Sequence, residues 1–499
     1  MANMNKAVVI GAGIAGLITA RMLSEYYKEI YIVERDDLPT TPANRQGTPQ
    51  SFHPHRVLPR GHMILERYFS GYTNDLLDNG AYPSDAEEIV LVNPFGNLIV
   101  RPPAGSASSS RALLEWVLRR RVQKIHNVHF ITNTEVIGFM SSEDRQTIIG
   151  VYTKERKKNS QEDLLTADMV IDSSGRSSKV IKWLHSLGHT VPNQEVLKVF
   201  LGYSTQYYKI PLEAQKQWRS VISDAQPAKG ISNGTLIRIE DDIAGTLLFS
   251  AGGEHYPSIK PDEYQEELKS LNASEIANIM DYLEPLQAPR GYRTSESIRQ
   301  HFEQMKNWPS GLLVLGDAFC SFDPIHGQGI TVAAIEAEII ENCLEEQIRN
   351  PQPYFERHVL HRMQEAIEPA WWLSSIADLR WNGVKHIGTT PLKGVTFAQK
   401  YIDLFTKKAT ELVTKGNSKF YLMQFLMNSL VLPPSKFFNA EILTIILNDN
   451  GSPEEKQVRA ELDVQDPKLF QQRIDECIPS FDSAFDERLN DVLMSFEQQ

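Results

Sequence analysis

The sequence predicts an α/β chain: a Rossmann-like nucleotide-binding domain, an inserted mixed-sheet domain and a helical C-terminal region. Three observations predict it. The stretch Ala7–Glu34, AVVIGAGIAGLITARMLSEYYKEIYIVE, runs strand, glycine-rich turn, helix, strand, acidic residue. Two further strand-then-loop signatures stand far downstream, MVIDSSGRSS from Met169 and GLLVLGDAFCSFDPIHGQGI from Gly311. Between them the signals are mostly strands, and beyond about Pro351 the spacing is helical.

The opening stretch carries the dinucleotide fingerprint. Gly11 permits a tight turn off the strand Ala7–Ile10, Gly13 lets a diphosphate approach the backbone, and Gly16 lets the helix Ile14–Tyr27 pack close to the sheet. The helix N-terminus faces the anion. Glu34 closes the strand Ile30–Glu34, where a carboxylate can accept hydrogen bonds from a ribose diol. Lys6 followed by apolar Ala7–Ala20 also resembles a secretory signal, but such a signal needs neither three glycines at this spacing nor a following strand ending in Glu.

Arg35–Arg60 is a long irregular segment with three prolines before Phe52 and then FHPHRVLP; loops of that length inside a domain are usually functional. Ser110 is a candidate N-cap for ALLEWVLRRRVQKI, whose apolar stripe is Leu113, Leu114, Val117 and Leu118. Its basic run, Arg119, Arg120, Arg121 and Lys124, reads as a solvated face. VHFITNTEV and TIIGVYT alternate as a β-meander, with Lys154–Asp163 at a hairpin tip. The sheet resumes at Met169–Ile171 and ends in DSSGRSS, the kind of strand end at which α/β sheets bind ligands.

VFLGYSTQYYKI, LIRIE and GTLLFSAG, with helical DEYQEELKSL and SEIANIMDYL, read as an inserted substrate domain. The Gly311 signature then returns the chain to the first domain. FERHVLHRMQEAIEPAWWLSSIADL and a last stretch from Ala440 are helical. The boundaries expected are 1–182 for the nucleotide-binding domain, 183–305 for the insert, 306–350 for the return segment and 351–499 for the helical region.

A net charge of −12, from 51 basic and 63 acidic residues, argues against nucleic acid as a partner. Cys320, Cys343 and Cys477 lie far apart without a CxxC, so neither a disulfide framework nor a zinc site is indicated and a reducing cytoplasm fits. Phe420–Leu432 contains Gln424 and Asn428 and is shorter than the roughly 20 residues a bilayer span needs. It reads as a buried helix or a tunnel wall. Peripheral membrane contact and either a monomer or a homodimer stay open.

The three signatures, over roughly Lys6–Leu344, resemble the FAD-dependent aromatic-hydroxylase superfamily, whose fold is a glutathione-reductase-type, para-hydroxybenzoate-hydroxylase-like FAD domain. WLHSLG and WWLSSIADLRW resemble a bacterial subgroup and extend the likeness into the tail. The resemblance implies that Gly11, Gly13, Ile14, Ala15, Gly16, Glu34 and Arg35 bind the ADP half of FAD, and that Arg111 reaches back to the cofactor. Asp172, Gly175 and Arg176 look like the motif that serves FAD and the nicotinamide. Gly316 and Asp317 look like the pair whose Asp holds the ribityl chain, and Pro324, Gly327, Gln328, Gly329 and Ile330 match the loop beside the flavin ring. A helix N-terminus near Gly329 would stabilise the negative charge of a reduced flavin.

Departures from the pattern are Cys320, where many members carry His, and Thr331 in place of a common Asn. No WxWxIP occurs, which weighs against a flavin halogenase, and no second GxGxxG occurs, which weighs against two-dinucleotide enzymes.

Candidate catalytic residues are Arg45, His53 and His55, placed by the resemblance near the substrate side of the flavin, and Asp323, a base at the flavin edge or plain turn chemistry. His53 and His55 lack spaced carboxylate or Cys ligands, so no metal site is expected. Cys320 reads as inert packing. Trp371, Trp372, Tyr203, Tyr207 and Phe322 line an apolar pocket or are core. The function expected is a monooxygenase that uses FAD, NADPH or NADH and O2 on a small, largely apolar metabolite, by hydroxylation, epoxidation or ring expansion. The alternatives are an FAD-linked reductase or dehydrogenase of isoprenoid-like substrates, and a cyclase with structural FAD.

Overall fold

The computed structural model describes residues 4–102, 105–215, 218–447, 451–463 and 466–485. Its first sheet is parallel, with strands in the order Leu312–Val314, Met169–Asp172, Lys6–Ile10, Glu29–Val33 and Val128–Ile131. The sequence signatures at residues 6, 169 and 311 are thus adjacent strands, and the turns that follow them leave the same edge of the sheet. Lys6–Ile10 and Met169–Asp172 are apolar almost throughout and buried, as strands covered on both faces must be.

The helix Ile14–Leu23 is one turn shorter than Ile14–Tyr27, because the chain turns at Ser24. VHFITNTEV does not form one meander strand. Asn133, with φ 52°, breaks it: Val128–Ile131 joins the parallel sheet, and Thr134–Ser141 pairs with Ile148–Glu155, which pairs in turn with Glu162–Thr166, in a separate antiparallel sheet. Ser110 caps the helix Arg111–Val122, its side chain accepting from the Leu113 amide at 3.1 Å. The basic run on that helix is not uniformly solvated. Arg119 is 3% exposed, lies 3.6 Å from Glu115 and donates to the Pro39 carbonyl.

The insert is a ten-stranded sheet around Glu195–Lys209, which pairs antiparallel with Arg290–Arg299 and with Ile243–Ser250. Its membership crosses the expected boundaries. Ile89–Asn93 and Gly96–Val100 join through a parallel pairing with Ser220–Ser223, Cys320–Ser321 pairs with Arg290–Arg299, and Lys385–Ile387 pairs with Glu195–Lys209. Stretches assigned from sequence to three other segments therefore complete the inserted sheet.

The long helix Gly329–Arg349 packs against Ile14–Leu23 and against the antiparallel helix Phe355–Asp378. Further helices follow, among them Val395–Val413, Lys419–Asn428 and Ala440–Ile446; residues 486–499 lie outside the described residues. No helix among the described residues is long and apolar enough to cross a membrane.

Candidate functional site

The three glycines of the first turn have three different reasons. Gly11 has φ +101°, and a Cβ there would stand 3.0 Å from the Ser173 carbonyl oxygen. A Cβ on Gly16 would lie 2.0 Å from the Gly11 oxygen, so helix and turn touch. Gly13 has an ordinary extended backbone, and nothing lies within 4 Å of where its Cβ would be. The helix it opens has no side-chain cap and no acidic residue in its first turn.

Glu34 is pinned at this turn, accepting from the Ala12 amide at 2.7 Å and from the Asp36 amide at 2.9 Å. Arg45 stands behind it, 3.3 Å from Glu34, 2.9 Å from Asp36 and 2.8 Å from Glu115, all with buried side chains. Arg45 was expected on the substrate side; its guanidinium is instead held by three carboxylates at the nucleotide turn, a positioning arrangement.

One cavity of about 500 Å³ runs from this turn across the sheet edge. Gly11, Gly13, Ile14, Ala15, Glu34, Arg35 and Arg45 line it at one end, with Arg111 beside them. Ser173, Ser174, Gly175 and Arg176 line it from the second turn, and Gly316, Asp317, Pro324, Gly327, Gly329 and Ile330 from the third. Arg176 Nε lies 3.9 Å from Asp317, and burial pushes the Asp317 carboxyl up against the opposing pull of Arg176 and Arg111.

Four expected residues do not line this cavity. Gly16 is the packing contact above. Asp172 is fully buried and engaged locally, accepting from the Ser174 amide at 2.9 Å and the Ser178 hydroxyl at 2.5 Å, so it shapes the second turn. Gln328 is the N-cap residue of the long helix and is 3% exposed. Asp323 caps the turn Pro324–His326 by accepting from the Ile325 amide at 3.0 Å. Its carboxylate gathers with His326 and Asp378, their ligand-capable atoms lying within 4.8 Å of one another. Burial first, then Asp378, raises its pKa. Asp323 thus sits just behind the lining residues Phe322 and Pro324, with the hydrogen bond that the turn-chemistry reading describes.

His53 and His55 both line the cavity. His53 Nδ1 is 2.9 Å from Thr205 Oγ1, and its ring packs edge-on to Tyr203 with centroids 4.6 Å apart. His55 Nδ1 donates to the His53 carbonyl oxygen at 2.8 Å. Burial, then the neighbouring His55 and Arg290, takes His53 down to about 3; burial and Arg111 take His55 down to about 4. Both imidazoles are neutral at pH 7. Cys320 is 1% exposed, and burial holds its thiol far above the usual range.

Tyr203 and Phe322 line the cavity; Trp371, Trp372 and Tyr207 do not. The two tryptophans are about 1% exposed, with indoles bonded to Glu195 and to the Lys393 carbonyl. Sequence reasoning did not single out Trp183, Ile237, Leu247, Phe249 and Arg56, which also form walls. Arg56 was in view within FHPHRVLP; the rest are ordinary sheet and helix residues whose side chains happen to face inward.

A parallel sheet whose three successive turns share one cavity, with a large mixed sheet beyond it, is a fold that this chain shares with solved flavin-dependent halogenases and an FAD-dependent monooxygenase. No family model matches the chain. Protein Rv3254 of Mycobacterium tuberculosis is 26% identical over 397 residues, spanning 77% of this chain and 82% of that protein. The flavin-dependent brominase Bmp2 superposes with a TM-score of 0.61 at 12% identity, covering 92% of this chain and 98% of that one. PqsL of Pseudomonas aeruginosa, a probable FAD-dependent monooxygenase, gives 0.53 at 14% identity, with 74% and 93% covered. The flavin-dependent halogenase CmlS gives 0.53 at 15% identity, with 99% and 77% covered.

Proposed function

We propose that this protein is an NAD(P)H-dependent FAD monooxygenase that inserts one oxygen atom from O2 into a small metabolite. The observation that carries the reading is the convergence of three turns, distant in sequence, on one cavity that continues onto an apolar sheet face. The residues fit the cofactor. Gly13 leaves open backbone where a diphosphate would lie, and Arg111 is a buried guanidinium whose Nη1 stands 3.4 Å from Glu115 but has no hydrogen-bond partner among the described residues. When bound, FAD supplies reduction by the nicotinamide and activation of dioxygen, chemistry that belongs to the cofactor.

The chain supplies placement. Gly11, Gly13, Ile14 and Ala15 receive the diphosphate at an uncapped helix start, Glu34 takes the ribose diol, and Arg35 stands beside it. Gly175 and Arg176 flank the middle, and Asp317 faces the ribityl chain. Pro324, Gly327, Gly329 and Ile330 border the ring, where the helix Gly329–Arg349 begins with no acidic residue in its first turn, favouring negative charge there. With Cys320 buried and protonated, proton handling at the reacting face falls to His53 and His55, whose Nδ1 atoms are engaged; the neutral His55, its Nδ1–H donated to the His53 carbonyl, presents Nε2 as an acceptor. Ile237, Leu247 and Phe249 exclude water.

The test is the visible spectrum of the purified protein, followed by oxygen uptake driven by NADH or NADPH. Bound FAD and oxygen uptake stimulated by a metabolite are expected. Each assay is run with and without bromide, because a brominase and a halogenase share this fold. Flavin reduction by substrate without oxygen uptake would favour the reductase reading, and a colourless protein that takes up no FAD would remove the proposal.

A further inference from the structure

His53 docks against the cavity side of the inserted sheet. Tyr203 and Thr205 stand two positions apart on the strand Glu195–Lys209 and so point to one face. Across from them are Phe249 and Leu247 on one neighbouring strand, and Tyr292 and Arg290 on the other. Tyr203, Leu247, Phe249 and Tyr292 line the cavity. The His53 ring lies edge-on to Tyr203 and 6.1 Å from Tyr292 between centroids, and the two tyrosines stack on each other at 5.1 Å. Pro54 packs on the same sheet at Gly245, where a Cβ would stand 3.1 Å from the Pro54 Cγ. The loop that carries both histidines is thus pressed onto the sheet, and Thr205 Oγ1, 2.9 Å from His53 Nδ1, fixes the rotation of the ring.

That contact has a direction. Thr205 is 0% exposed, and its Oγ1 makes no other hydrogen bond among the described residues. The side chains of its cross-strand partners, Leu247 and Arg290, carry no acceptor. The hydroxyl hydrogen therefore goes to the lone pair of His53 Nδ1. Were Nδ1 to carry a proton instead, that hydrogen would be buried without an acceptor, a condition native interiors avoid. A neutral imidazole that accepts at Nδ1 carries its proton on Nε2. His55 is the opposite case: the His53 carbonyl can only accept, so His55 Nδ1 carries the proton and Nε2 the lone pair.

We propose that Thr205 is a positioning residue that locks His53 in the Nε2–H tautomer, so that the two cavity histidines have divided roles: His53 donates a hydrogen bond and His55 accepts a proton. A neutral His53 that gave up its Nε2 proton would be left as imidazolate, so it does not act as an acid. Its N–H is a fixed dipole for an oxygen on which negative charge develops. His55 Nε2 is the basic atom of the pair, taking up one proton to become imidazolium. Exchanging the roles would require the Thr205 hydroxyl to turn away from Nδ1. This division deepens the monooxygenase reading and rests on it for the oxygen concerned; the tautomer rests on Thr205 alone.

The experiment is proton–nitrogen correlation NMR of the ring nitrogens on the full chain labelled with nitrogen-15 histidine, at neutral pH, with and without added FAD. Signals are assigned by their loss in His53→Gln and His55→Gln, and the spectrum reads which nitrogen of each ring carries the proton. His53 is expected in the Nε2–H form and His55 in the Nδ1–H form. Thr205→Val, which keeps the shape and removes the hydroxyl, should lower the ratio of Nε2–H to Nδ1–H at His53 by about tenfold and leave His55 unchanged, and Thr205→Ser should restore the ratio. An Nδ1–H or ionised His53 in the native chain, or a ratio indifferent to Thr205→Val, would overturn the proposal. Should the valine variant not fold, Thr205→Ala removes the same hydroxyl, and the native spectrum decides the tautomer without either. A chain that takes up no FAD yet shows these tautomers would sink the monooxygenase reading and leave the Thr205 lock standing.

Discussion

His326 Nε2 donates to Asp378 Oδ1 at 2.8 Å, tying the turn before the long helix to the end of the helix Phe355–Asp378. Burial alone would lower this histidine; the Asp378 carboxylate overrides it and raises His326 from 6.5 to about 9. The folded state therefore holds a proton that the unfolded chain releases above about pH 6.5. Its stabilisation is full below that pH and is lost as pH rises through about 9. Asp378→Asn should be less stable than the native chain by up to about 3 kcal/mol at pH 6, the gap closing by pH 10. Urea midpoints across that range measure it; a gap that stays constant with pH would contradict the assignment.

Gly13 is replaceable as far as the protein alone is concerned, since its backbone is ordinary and the space beside it is open. Gly13→Val should fold with a melting temperature in the absence of FAD within about 2 °C of the native chain. Its affinity for FAD should fall on the order of 100-fold. Fluorescence titration with FAD separates the two effects.

Gly16 is the opposite case. A methyl group there meets the backbone oxygen of Gly11 at 2.0 Å, and neither the turn nor the helix can give way cheaply. Gly16→Ala should cost about 3 kcal/mol of stability, visible in denaturation without any cofactor.

Arg45→Met leaves Glu34 without its ion-pair partner, while Asp36 keeps Arg156 and Glu115 keeps Arg111 and Arg119, and a loss of about 3 kcal/mol is expected. Because Glu34 is also held by two backbone amides, any active fraction should keep its turnover while binding FAD more weakly. A fall in turnover with FAD saturating would return Arg45 to the catalytic group.

The nucleotide half was legible because its signals are local: Gly11, Gly13, Gly16 and Glu34 specify one turn within a single βαβ unit, and the later turns repeat the strand-then-loop grammar. What was not legible depended on partners far away. Arg45 could be placed only by knowing that Glu115, seventy positions on, faces it. Asp172 read as a ligand from its strand end, but Ser174 and Ser178 satisfy it first. Asn133 splits an alternating run that periodicity alone reads as continuous, and a register into a distant sheet leaves no mark on the residues that adopt it.

The recruitment of Lys385–Ile387 to the edge of Glu195–Lys209 bears on how the chain matures. Nearly two hundred residues must be synthesised after the central strand before its last neighbour exists, and the Ile89–Val100 hairpin must wait for Ser220–Ser223 to gain its place. Such high contact order makes for slow assembly with unsatisfied strand edges along the way. Fragments divided near residue 350 should therefore not mature separately, and production of the protein should benefit from low temperature and chaperones.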